Sequence, residues 1–272
     1  MSEDNNTDDN FKKLLGLNID TDSLRAHARR RRMLEGKGCA SCDYNGFQTN
    51  YLGKTVLCSC VKDKFFKELF AKAHVPEVYI GKTIDDWNTR TDSSGNDLGI
   101  QQKTSENIFK LLKFYEKNLN NIINGQIPKI VHTGSIRSNL HSIVFDGNIG
   151  SGKTFIASTL VQSSIRQGLS AKYYDWSDLI QILSDFDKKD EIEHIIEEFK
   201  NLHFVAIDGI EHYGYQHPIL PQQLDRLSRA RLNSGKPIIL LSYGNINQIT
   251  GGSGWNSLLK NCLHFHLPKA IG

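Results

Sequence analysis

The sequence predicts an α/β protein, a parallel sheet with helices on both faces, preceded by a small cysteine-bearing module. Three observations carry this. From His141 onward short apolar runs alternate with segments of helical periodicity, the pattern of strands covered on both faces. A glycine-rich loop follows the first of those runs. Four of the five cysteines, Cys39, Cys42, Cys58 and Cys60, fall within 22 residues.

The 272 residues, 39% hydrophobic and 23% charged, describe a folded chain of about two domains and exclude a disordered tail protein. A net charge of +3 is too small to indicate nucleic-acid binding by itself, yet charge is unevenly spread: four acids lie in the first ten residues, and five arginines between Arg25 and Arg32. The acidic, polar start, MSEDNNTDDN, and the lack of any run of 18 apolar residues read against a signal peptide or a membrane span. The expectation is a cytoplasmic protein with no membrane partner, where clustered cysteines point to metal more than to disulfides.

In order along the chain, residues 1 to about 20 read as flexible, and Asp22-Ser23 can cap a short helix through the arginines to Glu35. After the cysteines, Val61 to Val75 reads as an amphipathic helix, with Val61, Phe65, Leu69 and Phe70 opposite Lys62, Lys64 and Lys67, stopped by Pro76. Residues 82 to 104, rich in Thr, Asp, Ser, Gly and Gln, read as a linker. Ile108, Leu111, Leu112 and Tyr115 place a helix at about 105 to 118, and 119 to 140 yields no assignable element. Strands are then expected at Ser142–Phe145, 170–175, Leu202–Ile207, Pro237–Ser242 and Leu263–Leu267, with helices at 152–167, 177–185, 189–200 and 219–233.

Gly147-Asn148-Ile149-Gly150-Ser151-Gly152-Lys153-Thr154 satisfies G-x-x-x-x-G-K-[ST] between a strand and a helix, the context that a phosphate-binding loop requires. Glycines let successive N–H groups face phosphate oxygens, and the helix N-terminus adds its positive end. Lys153 is placed to reach the β and γ phosphates of ATP, and Thr154 to hold Mg²⁺. Asp208, at the end of Phe204-Val205-Ala206-Ile207, is the second Mg²⁺ acid, as in a Walker B element. The following position, where hydrolytic proteins carry a water-activating Glu, is Gly209, and Glu211 is the nearest substitute.

Cys39-x2-Cys42 and Cys58-x-Cys60, with 15 residues between the pairs, offer four thiolates at ribbon-like spacing, suited to a closed, structural Zn²⁺ site, with Gly46 forming a knuckle. Buried free cysteines or an iron–sulfur site are the alternatives. Cys262 reads as a core residue. His194 and Glu198 lie four apart but among other acids, which reads as a solvated acidic helix face. His203, His264 and His266 show no ligand spacing and read as structural, and Trp87, Trp176 and Trp255 as packing residues. The run Arg29 to Arg32 fits a solvated face, a protein contact or a phosphate-binding patch equally.

With both motifs in place, residues 38 to 268 resemble the bacterial and phage helicase-loader ATPases of the DnaC/DnaI type, which share their core with IstB-like transposition helpers. Cys39-Ala40-Ser41-Cys42, Gly46, Cys58-Ser59-Cys60, the helix to Pro76 and the core from His141 follow the family's order. Gly147 to Ala157 is similar to G-x-x-G-x-G-K-T-x-L-A, Lys172 to Leu179 resembles the strand and helix start that follow it, and Arg231 falls where the family has an Arg before its fourth strand. The resemblance implies an AAA+ core with strand order 5-1-4-3-2 and a zinc-ribbon-like module. It divides the chain into a basic segment at 1–36, a zinc module with its helix at 37–80, a linker at 81–104 and an ATP-binding core at 105–272.

The resemblance further implies a replicative helicase of the DnaB type and single-stranded DNA as partners, with ATP-dependent self-association. Departures are present. Asp208-Gly209 replaces two adjacent acids. The sensor strand ends Leu241-Ser242-Tyr243-Gly244-Asn245, so either Tyr243 or Asn245 fills the polar sensor position. Lys260 stands where an arginine would reach a neighbouring subunit's nucleotide. These leave weak ATPase activity as the expectation. The rival readings are an IstB-like transposition helper, or a zinc-containing nucleic-acid-binding protein whose P-loop domain does not hydrolyse ATP.

Overall fold

The computed structural model describes residues 39–42, 47–49, 52–89, 102–124, 142–185, 187–211 and 219–267. The expected helix at 22 to 35, the run Arg29 to Arg32 and Gly46 lie outside the described residues. A hairpin, β1 (Phe47–Thr49) and β2 (Thr55–Leu57), is followed by α1 (Ser59–Lys72) and α2 (Gln102–Ile123). The core runs β3 (Ser142–Gly147), α3 (Lys153–Arg166), β4 (Ala171–Asp175), α4 (Trp176–Leu183), α5 (Lys189–Asn201), β5 (Phe204–Ile210), α6 (Leu220–Ser234), β6 (Ile238–Ser242), α7 (Gly252–Lys260) and β7 (Cys262–Leu267).

The five core strands pair in parallel in the order β4-β5-β6-β3-β7. Counted by core strand from the other edge, this is the expected 5-1-4-3-2. Both faces are covered, so the strands are apolar throughout: Ile238 to Leu241 are all fully buried. On one face Ile143, Phe145, Tyr173, Phe204 and Ala206 pack with α1, α2 and α3; on the other Val144, Tyr174, Val205 and Ile207 pack with α4 to α7.

The helix α1 ends with His74 at φ 60°, with Val75 N donating to Phe70 O at 3.0 Å, a left-handed cap that turns the chain before Pro76. Its apolar side faces the core: Phe70 is buried, Phe66 stacks on it at 5.8 Å, and the Arg166 guanidinium of α3 lies 5.1 Å from the Phe70 ring. The composition of 81–104 predicts a linker, but Ile84–Thr89 is a 3-10 turn with Ile84 and Trp87 each only 1% exposed. Two apolar anchors among polar neighbours suffice, because Trp87 lies 5.8 Å from Phe155 of α3. Gln162 of α3 tightens the junction, accepting from Gly81 N at 2.8 Å and donating to Tyr79 O at 2.8 Å. The helix expected at 105 to 118 runs to Ile123, burying Ile108, Leu112, Tyr115, Leu119 and Ile122 along one stripe.

The helix α7 has no counterpart in the sequence reading. Its start, Gly252-Ser253-Gly254, looks like a loop, yet the Gly254 amide donates to Asp225 Oδ1 at 2.5 Å and Trp255, Leu258 and Leu259 are buried. Arg231 is 1% exposed and donates to the carbonyls of Phe199 at 2.9 Å, Leu202 at 2.7 Å and His203 at 3.1 Å, and to that of Pro237, binding α6 to the entries of β5 and β6. Among the described residues no helix is long and apolar enough to cross a membrane.

Candidate nucleotide site and cysteine cluster

The loop Asn148–Gly152 leaves β3 at the carboxyl ends of the strands and enters α3, with Gly152 at φ 94° as its N-cap. Gly147, at φ 146°, cannot be replaced: a Cβ there would stand 2.3 Å from Leu267 O of the adjacent β7. Lys153 is 3% exposed, and its Nζ donates to Gly147 O and Asn148 O, each at 2.6 Å, and to Ser151 Oγ at 3.1 Å. Burial pulls its ammonium down to about 8, against the opposing charges of Asp208 and Asp146. Its hydrogen-bond partners are all neutral oxygens, so this buried cation suits an anionic phosphate.

Asp208 is 2% exposed; Oδ2 accepts from the Tyr173 phenol at 2.9 Å and Oδ1 from the Gly209 amide at 2.8 Å. These donors fix a carboxylate whose remaining lone pairs suit a divalent cation. Between Ile207 and Ile210 the register of β5 against β6 shifts, and Gly209 sits in the bulge at φ 78°. That left-handed backbone is the physical reason for glycine where a hydrolytic protein carries Glu. Glu211, exposed just past β5, acts through its charge on the Tyr243 phenol.

Tyr243 follows β6, with its ring centroid 4.5 Å from Lys153 Nζ. Burial, then the negative charge of Asp208, raise its phenol, while the nearby Thr154 hydroxyl lowers it. Asn245 does not join this group: it is exposed, and its Oδ1 accepts from the amide and the Nδ2 of Asn247 at 3.0 and 3.1 Å, capping a 3-10 turn. Lys153, Thr154, Asp208 and Tyr243 are thus brought together, with Glu211 at the rim. The sequence reading missed Tyr173 as the partner of Asp208, and only the pairing of β4 with β5 brings the two within reach. Lys260 is the exposed last residue of α7.

All four Sγ atoms of Cys39, Cys42, Cys58 and Cys60 lie within 4.8 Å of one another, with Cys39–Cys58 at 3.6 Å and Cys42–Cys60 at 3.8 Å. Ligands at about 2.3 Å from a tetrahedral Zn²⁺ stand about 3.8 Å apart, so the cluster fits that ion. The short Cys58-x-Cys60 spacing follows from position: Cys58 caps α1 and Cys60 lies in its first turn, so a helical turn and not a loop aims both thiols. Hydrogen bonds from Cys58 and Cys60, then the Ser41 amide, pull the Cys39 thiol down to about 6. Cys262, by contrast, is buried, donates to Leu258 O at 3.2 Å and is pushed up to about 12 by that burial.

Away from this site, a cavity of about 660 Å³ is lined by His74, Lys172, Tyr174, Asp178, His194 and Glu198, among others. Here the acidic helix face departs from expectation, since Glu198 is partly buried and accepts from Lys172 at 2.7 and 2.8 Å and from the Tyr174 phenol at 2.5 Å. His266 pairs with Asp146, and His203 with Ser170, consistent with structural roles.

Residues 108–226 match the family described as IstB-like ATP binding protein. No curated protein sequence matches the chain. Among solved structures it is similar to the DnaC helicase loader (TM-score 0.51, 13% identity, 71% of this chain and 99% of that one). It is also similar to the replication initiator DnaA bound to AMPPCP and single-stranded DNA (TM-score 0.50, 14% identity, 71% and 50%). AMPPCP-bound DnaA from Aquifex aeolicus aligns at a TM-score of 0.49 and 15% identity, over 71% and 51%. The chain spans about half the length of these DnaA structures. At such identities the likeness is one of fold, an α/β core around a five-stranded parallel sheet.

Proposed function

We propose that this chain, which carries an IstB-like ATP-binding domain, is an ATP-binding accessory protein of DNA replication that engages a DnaB-type replicative helicase and assists its loading on single-stranded DNA. The observation that carries the reading is the likeness to a DnaC helicase loader, spanned for 99% of its length.

In this reading the amides of Gly147 to Gly152 and the Lys153 ammonium hold the phosphates, and Thr154 and Asp208 hold Mg²⁺. Bound ATP supplies a γ phosphate that can favour one arrangement of the core over another. Tyr173 orients Asp208, and Phe155, two residues beyond Lys153, touches Tyr79 at 6.2 Å and Trp87 at 5.8 Å. A rearrangement at the phosphate loop therefore has a packed route to the segment that follows α1. Differential binding of ATP to two such arrangements is what would couple it to partner affinity. The cysteine cluster takes Zn²⁺ as a structural staple, and self-association places Lys260 toward a neighbouring subunit.

The test is size-exclusion co-elution of the full chain with the replicative helicase of its genome or host, with and without ATP and single-stranded DNA. ATP-dependent co-elution is expected. Its absence, with the protein folded and zinc-loaded, overturns the loader reading in favour of a transposition helper or a nucleic-acid-binding protein. Gly209 specifically favours a second reading on turnover: with no Glu beside Asp208, ATP acts as a slowly hydrolysed or unhydrolysed ligand.

A further inference from the structure

We infer that Tyr243 is a latch over the phosphate loop, which ATP·Mg²⁺ must displace in order to bind. The inference rests on the ATP-binding reading above. The Tyr243 ring covers the Lys153 ammonium at 4.5 Å, within the distance at which a ring face attracts a cation. The same residue lies within reach of the Thr154 hydroxyl, so it engages both groups assigned to the γ phosphate and Mg²⁺. It is 37% exposed, and open enough on one side to swing outward without dismantling the core.

Its backbone is anchored by main-chain and Ser242 hydrogen bonds, while its side chain is held at the phosphate loop, at the Lys153 ammonium and the Thr154 hydroxyl. Tyr243 N donates to Ile210 O at 2.9 Å, and Ser242 Oγ donates to Ile210 O at 2.9 Å and Gly244 O at 2.7 Å. The ring also rests on the Gly209 bulge, where an added Cβ would stand 3.6 Å from Cε2. Glycine at 209 is required by its own left-handed backbone at φ 78°, and the Tyr243 ring lies beside it at ordinary contact distance. A polar residue at 243 that merely contacted phosphate would not need the ring to cover the Lys153 ammonium. Displacing the ring frees the Lys153 charge for the phosphates.

Isothermal titration calorimetry with ATP·Mg²⁺ on the full-length wild type, Tyr243→Ala, Tyr243→Phe and Lys153→Ala separates the outcomes, with thermal melts as a folding control. A ring–cation contact of this kind corresponds to an affinity gain of about 2- to 30-fold on its removal. Tyr243→Ala is expected to bind ATP·Mg²⁺ more tightly by that factor. Tyr243→Phe, which keeps the ring and loses the hydroxyl, is expected to fall between it and wild type. If wild type binds and Tyr243→Ala binds equally or more weakly, the latch is overturned, and a weaker affinity makes Tyr243 a nucleotide contact instead. If neither wild type nor Tyr243→Ala binds, the ATP-binding reading itself is overturned, and the latch with it.

Discussion

The Tyr173 phenol donates to Asp208 Oδ2 at 2.9 Å, while the amide of the same residue donates to Ala73 O at 2.9 Å. One residue of the edge strand β4 thus holds both Asp208, the acid proposed for Mg²⁺, and the end of α1. The arrangement follows from the pleat: Tyr173 and Asp208 lie on the face that packs on α3, and Tyr173 pairs with Ala206 in the neighbouring strand.

Tyr173→Phe removes only the hydroxyl that orients Asp208. Loss of a partner that orients a metal ligand costs about tenfold or more in metal affinity. Mg²⁺-dependent ATP affinity is therefore expected to fall about tenfold, with metal-free ATP binding unchanged. Calorimetry with and without Mg²⁺ checks this, and equal losses in both conditions would count against the assignment.

Lys153→Ala is expected to abolish ATP binding while the bound zinc is retained. The pH dependence of the wild type has a definite sign. Burial places the ammonium at about 8, and only its charged form attracts phosphate. Above that pH the free protein must take up a proton to bind, so affinity falls as pH rises, by about tenfold per unit between about 8 and 10. A flat profile from pH 7 to 9 would show that Lys153 does not carry the interaction.

The cysteine geometry predicts one Zn²⁺ per chain by elemental analysis. Cys42→Ser loses it, because three thiolates no longer close the tetrahedron, whereas Cys262→Ser keeps it. Retention of a full equivalent in Cys42→Ser would contradict the four-thiolate site.

Arg231→Ala leaves buried carbonyls of Phe199, Leu202, His203 and Pro237 without their donor. The expected loss is about 3–5 kcal/mol, measured by urea unfolding. Arg231→Lys recovers part of it, since an ammonium lacks the planar fork that serves several carbonyls at once. A cost below about 1 kcal/mol for Arg231→Ala would show that those carbonyls find other donors.

Gly209→Ala forces a side chain into the φ 78° backbone and is expected to cost about 1–2 kcal/mol of stability. Gly209→Glu supplies, in sequence only, the second acid that hydrolytic P-loop proteins carry after the first. It gains no ATP turnover, because the φ 78° bulge does not carry a side chain without strain; a phosphate-release assay showing clear turnover in this variant would refute the argument.

The core strands, the phosphate-loop motif, Asp208 at a strand end and the grouping of four cysteines are legible in the sequence, because each is written locally: apolar runs of strand length, a contiguous eight-residue loop, and two short cysteine spacings; the strand order comes only with the family resemblance. The polar stretch holding Ile84 and Trp87, and the glycine-led α7, were not legible. Their structure depends on Phe155 and Asp225, which are distant in sequence and supply the packing and hydrogen bonding that local propensity lacks. The choice between Tyr243 and Asn245 likewise needed the fold, since two residues of separation decide nothing until the turn after β6 sets Tyr243 on Lys153 and Asn245 on Asn247. Sequence alone thus determined which chemical groups are present and the sheet that carries them. The tertiary structure decided which groups meet, because the contact of Tyr173 with Asp208 joins two strands, that of Tyr243 with Lys153 joins the turn after β6 to the start of α3, and both exist only once the sheet has formed.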